Sequence, residues 1–172
     1  MNNSILSYSY ASNEIKGYNL SEIAKNEKND CFVRAVAAAT GSNYDAAHSF
    51  VKEKFGRKNG KGTELVQAHM MNLEKNGMEI DGKEFKVSVL GSEKTTNKYK
   101  LYGEIVKRKK TVKSFIKDNP KGTFIVGVSK HAFTVKDGVL IDNAGEEFRP
   151  TRKVDCAFKI DGKEEVTQLS LF

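Results

Sequence analysis

The sequence contains no tryptophan, only two cysteines and two prolines, and no long apolar run. Two cysteines are too few for the disulfide framework of a small secreted protein. No stretch approaches the roughly 20 consecutive apolar residues of a membrane helix, and the polar start from Met1 to Leu6 lacks the pattern of a signal peptide. We therefore expect no membrane association and a cytoplasmic location.

Length and composition favour one folded domain. The 172 residues are 38% hydrophobic and 30% charged, which suits a single domain spanning residues 1–172 with a buried core. The first 25 residues are polar and predict a weakly structured arm or an edge strand. The sequence shows no internal repeat.

The net charge of +7 is confined to one stretch of the chain. Residues 93–121 hold ten basic and three acidic side chains, so the remainder is neutral. The polar segment 91–110 is too long for a tight turn and predicts a basic excursion from the fold. Its end carries a candidate surface for an acidic partner or for nucleic acid, formed by Lys107, Arg108, Lys109 and Lys110.

Helical patterns dominate the first half of the sequence. Residues 31–40 form an almost wholly apolar run, and residues 44–55 have apolar side chains at helical spacing behind the N-cap residue Asn43. A third helix is predicted to begin at the cap Thr63 and to end at Gly77. Its predicted inward-facing residues are Leu65, Val66, Met70 and Leu73.

Strand patterns dominate the second half, after one short helix predicted at 112–117. The predicted strands cover residues 85–90, 123–128, 132–135, 139–141, 157–160 and 166–171. Helices followed by an antiparallel sheet are typical of the α+β class. We therefore expect N-terminal helices packed on a C-terminal antiparallel sheet.

Cys31 stands where a thiol is easily ionised. It follows Asn29-Asp30 at the start of the first long helix, where the helix dipole and the unpaired amides of the first turn stabilise a thiolate. The same amides can stabilise an oxyanion formed beside the sulfur. Asp30 acts in the opposite sense, because a neighbouring carboxylate raises the pKa of a thiol unless it is used to cap the helix.

His131 begins a predicted strand and is a candidate base for the Cys31 thiol. The turn Asp137-Gly138 predicts a two-residue hairpin loop, which places Asp142 on the same sheet face as His131. A three-residue loop would instead place Asn143 opposite His131. We prefer Asp142, because Asp-Gly favours the shorter loop, and Asn143 stays the alternative.

These segments resemble the papain-fold cysteine peptidases, in particular compact members encoded by bacteria and phages. The resemblance rests on Asn29-Asp30-Cys31-Phe32-Val33-Arg34-Ala35 and on Gly122-Thr123-Phe124-Ile125-Val126 leading to His131-Ala132-Phe133. It covers about residues 26–60 and 111–145, with the order Cys, His, then Asp or Asn. Related small domains also act as amidases, transglutaminases or deamidases.

The resemblance implies a hydrolase that attacks a peptide or protein amide and forms a thioester on Cys31. It also implies that His131 is the base, that Asp142 or Asn143 orients it, and that no cofactor is needed. Papain-like enzymes complete the oxyanion hole with a Gln or Asn before the cysteine. No Gln precedes Cys31, so Asn26 and Asn29 are the candidates.

Other functions remain open from the sequence. An inactive papain-like domain could serve as a binding or virion-structural module, and the basic stretch 93–121 could bind nucleic acid. A metal site is not expected, because no His or Cys residues form a close pair at zinc spacing. His48 and His69 are expected at the surface or its boundary, and Cys156 in the core.

Overall fold

The computed structural model describes residues 6–144 and 147–163 and shows a mixed α+β protein. Seven α-helices occur in these residues: α1 (Ala11–Glu14), α2 (Glu22–Asn26), α3 (Cys31–Thr40), α4 (Tyr44–Phe55), α5 (Val66–Asn76), α6 (Ser92–Thr95) and α7 (Val112–Asp118). The strands in the same residues are β1 (Tyr8–Tyr10), β2 (Met78–Ile80), β3 (Lys83–Val89), β4 (Thr96–Leu101), β5 (Glu104–Lys109), β6 (Thr123–Val128), β7 (His131–Lys136), β8 (Val139–Asp142) and β9 (Val154–Gly162).

The main sheet has seven strands in the order β1-β8-β7-β6-β9-β3-β2, and β4 and β5 form a separate two-stranded sheet. All strand pairs are antiparallel except β1 with β8, which are parallel. The expectation of a wholly antiparallel sheet is therefore wrong at this edge. The pairing of Tyr8 with Leu140 brings the N-terminal segment beside the hairpin that carries the site.

Apolar side chains cover both faces of the main sheet. On one face, α3, α4 and α5 pack against residues such as Ile125, Ile141 and Phe158. On the other, α7 packs against Phe124 and its neighbours in the sheet. The prediction of helices on a sheet is confirmed, but α7 lies on the face opposite to the N-terminal helices.

The predicted helices at 31–40 and 44–55 are confirmed, and Asn43 caps the second one through Ala46 N–H at 2.8 Å. The third prediction is wrong at its start. Leu65 has a left-handed backbone (φ 51°) and is 74% exposed, so the helix begins at Val66 and Thr63 lies outside it. A left-handed residue cannot continue a right-handed helix.

The N-terminal arm has more structure than its polar composition suggests. The edge-strand prediction is confirmed by β1, whereas the rest of the described arm contains α1 and α2. Ile15 is buried against the core, and Ser21 caps α2 by accepting the Ala24 N–H at 3.0 Å. These two contacts hold the N-terminal arm in place, although its sequence lacks a strong hydrophobic periodicity.

The strands predicted between residues 85 and 160 lie within three residues of their predicted bounds, whereas β2, β4 and β5 were not predicted. The segment 91–110, predicted as a basic excursion, contains α6 and the hairpin β4–β5, which forms a sheet separate from the main one. The strand predicted at 166–171 lies outside the described residues. Within the described ranges, no helix has the length and apolar character needed to cross a membrane.

Candidate active site

Cys31 is the first residue of α3. Most of the residues that follow it in this helix are buried in the core. This helix packs across β7, and the buried Thr134 hydroxyl of β7 donates a hydrogen bond to the Ala35 carbonyl at 2.7 Å. The strand that begins with His131 is thus attached directly to the helix that begins with Cys31. Two segments 100 residues apart are thereby brought together.

Two tight turns place His131 and Asp142. Val128 pairs with His131 across the first turn, and Lys136 pairs with Val139 across Asp137-Gly138. This two-residue loop confirms the predicted register of the β7–β8 hairpin. Its two central residues have positive φ, as a type I′ turn requires.

Asp142 is the partner of the His131 ring. Its Oδ2 lies 2.7 Å from His131 Nε2, and its Oδ1 accepts the Asn143 N–H at 2.8 Å. The Asp142 side chain is only 2% exposed, whereas that of His131 is 21% exposed. A buried carboxylate held at both oxygens orients the imidazole and leaves its other nitrogen, Nδ1, for Cys31.

Cys31 and His131 line the same cleft, and each shifts the pKa of the other. Burial raises the pKa of Cys31, but the hydrogen bond to His131, the Ala132 N–H and the positive charges of His131 and Arg34 lower it below the ordinary thiol value. The hydrogen bond to Asp142, followed by that to Cys31, raises the pKa of His131 to about 9. Both shifts favour a thiolate–imidazolium pair near neutral pH.

Asp30 does not cap α3, and its carboxylate is used elsewhere. It forms an ion pair with Arg34 and accepts a hydrogen bond from the buried Tyr44 hydroxyl at 2.6 Å. Burial and the Asp30 carboxylate together raise the pKa of Tyr44. Asp30 was expected to disfavour ionisation of Cys31, but the positive charge of Arg34 offsets its negative charge. The amides in the first turn of α3 have no side-chain cap.

A cleft of about 430 Å³ opens over Cys31 and His131. Its walls are formed by Asn29, Asp30, Arg34, Gly62 and Lys130. A second depression of about 600 Å³ shares Lys130 and His131 with the first, and Phe148 and Arg152 are among its other lining residues. The two depressions therefore meet at His131.

The remaining predicted site residues divide between the cleft and other places. Asn29 lines the cleft and donates one amide proton to the Gly60 carbonyl at 3.0 Å, which leaves its second proton available. Asn26 instead donates to the Glu22 carbonyl and lines a separate depression. Asn143 contacts Ser12 and Tyr18 rather than the His131 ring.

A buried ionic cluster supports the segment before Cys31, and the sequence did not indicate it. Glu27 contacts His48 at 2.6 Å, Arg57 at 3.0 Å and the Gly60 N–H at 2.6 Å. Arg57 also donates to the Lys28 carbonyl at 3.0 Å. The expectation of a surface position for His48 is wrong, because its side chain is only 6% exposed.

The hydrogen bond from Arg57 is the main cause of a lowered pKa at Glu27. Burial acts in the opposite direction, and the net result is a pKa of about 2 in place of 4.5. The cluster attaches the loop 56–62 to the turn before Cys31, and the loop in turn holds Asn29 through Gly60. No local pattern signals it, since its three side chains come from distant positions.

The other cysteine and histidine lie away from the Cys31–His131 pair. Cys156 is half-buried beside Gly127, where an added Cβ would meet its Sγ at 2.5 Å, and both cysteines are free thiols. Burial and the nearby Asp155 raise the pKa of Cys156. His69 packs on the Phe55 ring at 5.0 Å. Among residues 6–144 and 147–163, no three metal-ligating side chains of His, Cys, Asp or Glu are grouped.

Comparison of the chain with family models, curated protein sequences and solved structures gives no match.

Proposed function

We propose that the chain is a papain-like cysteine hydrolase that cleaves a peptide or protein amide through a thioester. The observation that carries the proposal is the placement of Cys31 and His131 at one open cleft, with the His131 ring hydrogen-bonded to Asp142. Nucleophile, base and orienting group stand in the order that this chemistry requires. The order Cys, His, Asp along the chain also agrees with the resemblance of the sequence motifs to the papain-fold peptidases.

The reaction starts from the thiolate–imidazolium pair. The Cys31 thiolate attacks the carbonyl carbon of the amide, and the carbonyl oxygen becomes an oxyanion. The Cys31 N–H, at the uncapped start of α3, and the second amide proton of Asn29 are the donors available to it. His131 Nδ1 then gives its proton to the leaving amine, and the carbon–nitrogen bond breaks to leave a thioester.

Water completes the cycle. His131, now neutral, takes a proton from a water molecule that attacks the thioester carbonyl. The carbon–sulfur bond breaks, the product leaves as a carboxylic acid, and the thiolate–imidazolium pair is restored. Asp142 keeps Nε2 hydrogen-bonded throughout, so that Nδ1 always faces the sulfur.

Alkylation at pH 6 tests the nucleophile, with the second cysteine as an internal control. We expect iodoacetamide to modify Cys31 at least about tenfold faster than Cys156, because the pKa of the first thiol is lowered and that of the second is raised. Mass spectrometry of the two cysteine peptides measures both rates. Cys31→Ala should remove the fast reaction and Cys156→Ala should retain it; equal rates at both sites would contradict an activated Cys31.

Hydrolysis itself is tested with a mixture of peptides incubated in H₂¹⁸O. Each cleavage should produce a new carboxyl group that carries ¹⁸O, because water resolves the thioester. Cys31→Ala is expected to give no new carboxyl groups, while Cys156→Ala should behave as the wild type. Fast alkylation of Cys31 without any cleavage would instead favour a binding module that retains a reactive thiol.

A further inference from the structure

The hairpin β4–β5 is a ribbon of two strands that forms no part of the main sheet. Its turn is made by Tyr102 and Gly103, both with positive φ, and Tyr102 is 98% exposed. A two-stranded ribbon buries little apolar surface and is marginally stable alone. At its base, the Lys110 N–H donates a hydrogen bond to the Thr95 carbonyl at 2.8 Å.

One face of the ribbon is lined by lysines. Lys98 pairs directly with Lys107, and side chains two residues apart on a strand point to the same side, so Lys100 and Lys109 join them. Like charges at directly paired positions destabilise a hairpin. Binding of an anion would relieve this repulsion.

The structure provides little internal compensation for these charges. Lys109 is paired with Asp155 at 2.5 Å. In the described part of the chain, no carboxylate forms an ion pair with Lys98, Lys100 or Lys107. Among residues 6–144 and 147–163, three lysines of one exposed face therefore have no acidic partner.

The opposite face of the ribbon turns toward α7 near its base. There Asn97 donates to the Ser114 hydroxyl of α7 at 3.4 Å. Val106, which lies on the same face, is only half-buried. The lysine face is thus the one directed away from α7, where an extended ligand can approach it.

We propose that the lysine face of the β4–β5 ribbon binds double-stranded nucleic acid through its phosphates, independently of the hydrolase site. A two-stranded ribbon fits the width of the major groove. Successive lysines on one strand stand about 6.8 Å apart, which is close to the rise of two phosphates along one strand of a duplex. Contacts of this kind to phosphates position a protein on the duplex and carry no sequence information.

The test is fluorescence anisotropy with a 20-base-pair duplex of mixed sequence at several salt concentrations. The variant Lys98→Gln/Lys100→Gln/Lys107→Gln should make the slope of log K against log salt less negative by about 3. Its affinity at 0.1 M salt should fall roughly 100-fold or more, since each lost phosphate contact removes released counterions. These residues are exposed, so circular dichroism should show an unchanged fold.

A matched control removes the same charge elsewhere, from exposed lysines of α4, α5 and β3: Lys52→Gln/Lys75→Gln/Lys83→Gln. It should change the duplex affinity less than about threefold, because its lysines lie outside the ribbon.

Equal loss of duplex affinity in both variants would overturn the proposal, as would no binding by the wild type at 50 mM salt. Tighter binding of a single strand or of polyglutamate would overturn the duplex as the ligand. Cys31→Ala should bind as the wild type, which separates this result from the hydrolase test.

Discussion

Replacement of Asp142 with asparagine is expected to lower the turnover of any amide substrate about 10²–10⁴-fold, the usual contribution of a positioned acid–base group. The variant keeps the size of the side chain but removes the negative charge 2.7 Å from His131 Nε2. The imidazolium is then less stable, and the ring can adopt the wrong tautomer. Steady-state kinetics on a peptide found in the hydrolysis screen measures the effect.

The same variant should shift the ionisation of Cys31 in a defined direction. Asp142 is the main cause of the raised pKa of His131, and His131 in turn lowers the pKa of Cys31. Loss of the carboxylate therefore lowers the pKa of His131 and raises that of Cys31. Thiolate absorbance at 240 nm, followed in a background of Cys156→Ala, should appear at higher pH than with Asp142 present.

Asn143→Ala is the matched control for Asp142→Asn. Asn143 is the neighbouring polar residue, but its side chain contacts the Ser12 N–H and Tyr18. Turnover by this variant should stay within about threefold of the wild type, far from the effect of a lost acid–base group. A larger loss in Asn143→Ala than in Asp142→Asn would show that the amide, and not the carboxylate, orients His131.

Glu27→Gln should be among the most destabilising conservative substitutions in this chain. It leaves the fully buried Arg57 guanidinium, with 0% side-chain exposure, without its charged partner. Breaking a buried ion pair by removing one partner costs about 3–5 kcal/mol. Urea denaturation measures the loss in the free energy of unfolding. Glu22→Gln, which breaks the exposed pair with Lys25, should cost about 0–1 kcal/mol.

The stability that Glu27 contributes should depend on pH in a predictable window. Its pKa is lowered from 4.5 to about 2 in the folded protein, so the unfolded chain binds more protons between these values. The contribution is complete above pH 4.5 and is lost as the pH falls toward 2. Glu27→Gln should therefore flatten the acid limb of the stability curve. An acid limb identical to that of the wild type would contradict the ion pair.

Several parts of the candidate site follow from local sequence. The apolar run ending at Gly41 determines the helix that begins at Cys31. The Asp137-Gly138 turn determines the hairpin register, and with it the choice of Asp142 over Asn143. Both are short-range effects, because a helix start and a two-residue turn depend on neighbouring residues only.

The supporting contacts could not be obtained in this way. Glu27 precedes His48 by 21 residues and Arg57 by 30 residues along the chain. Their contact depends on how α4 and the loop that follows it pack. Asn26 is the exception, since the hydrogen bond that it donates to the Glu22 carbonyl lies within its own helix. The parallel pairing of β1 likewise depends on an edge that β8 leaves open.

The sequence by itself determined the α+β class, the positions of the main helices and strands, and the residues with suitable chemistry. Tertiary structure decided which of them meet: Thr134 bonded to Ala35 brings the His131 strand to the Cys31 helix, and Tyr44 of α4 donates a hydrogen bond to the Asp30 carboxylate. It also formed the ribbon that gathers the lysines on one face. Local propensity acts over one turn of chain, whereas a site joins segments 100 residues apart, and only packing of the core sets their distance.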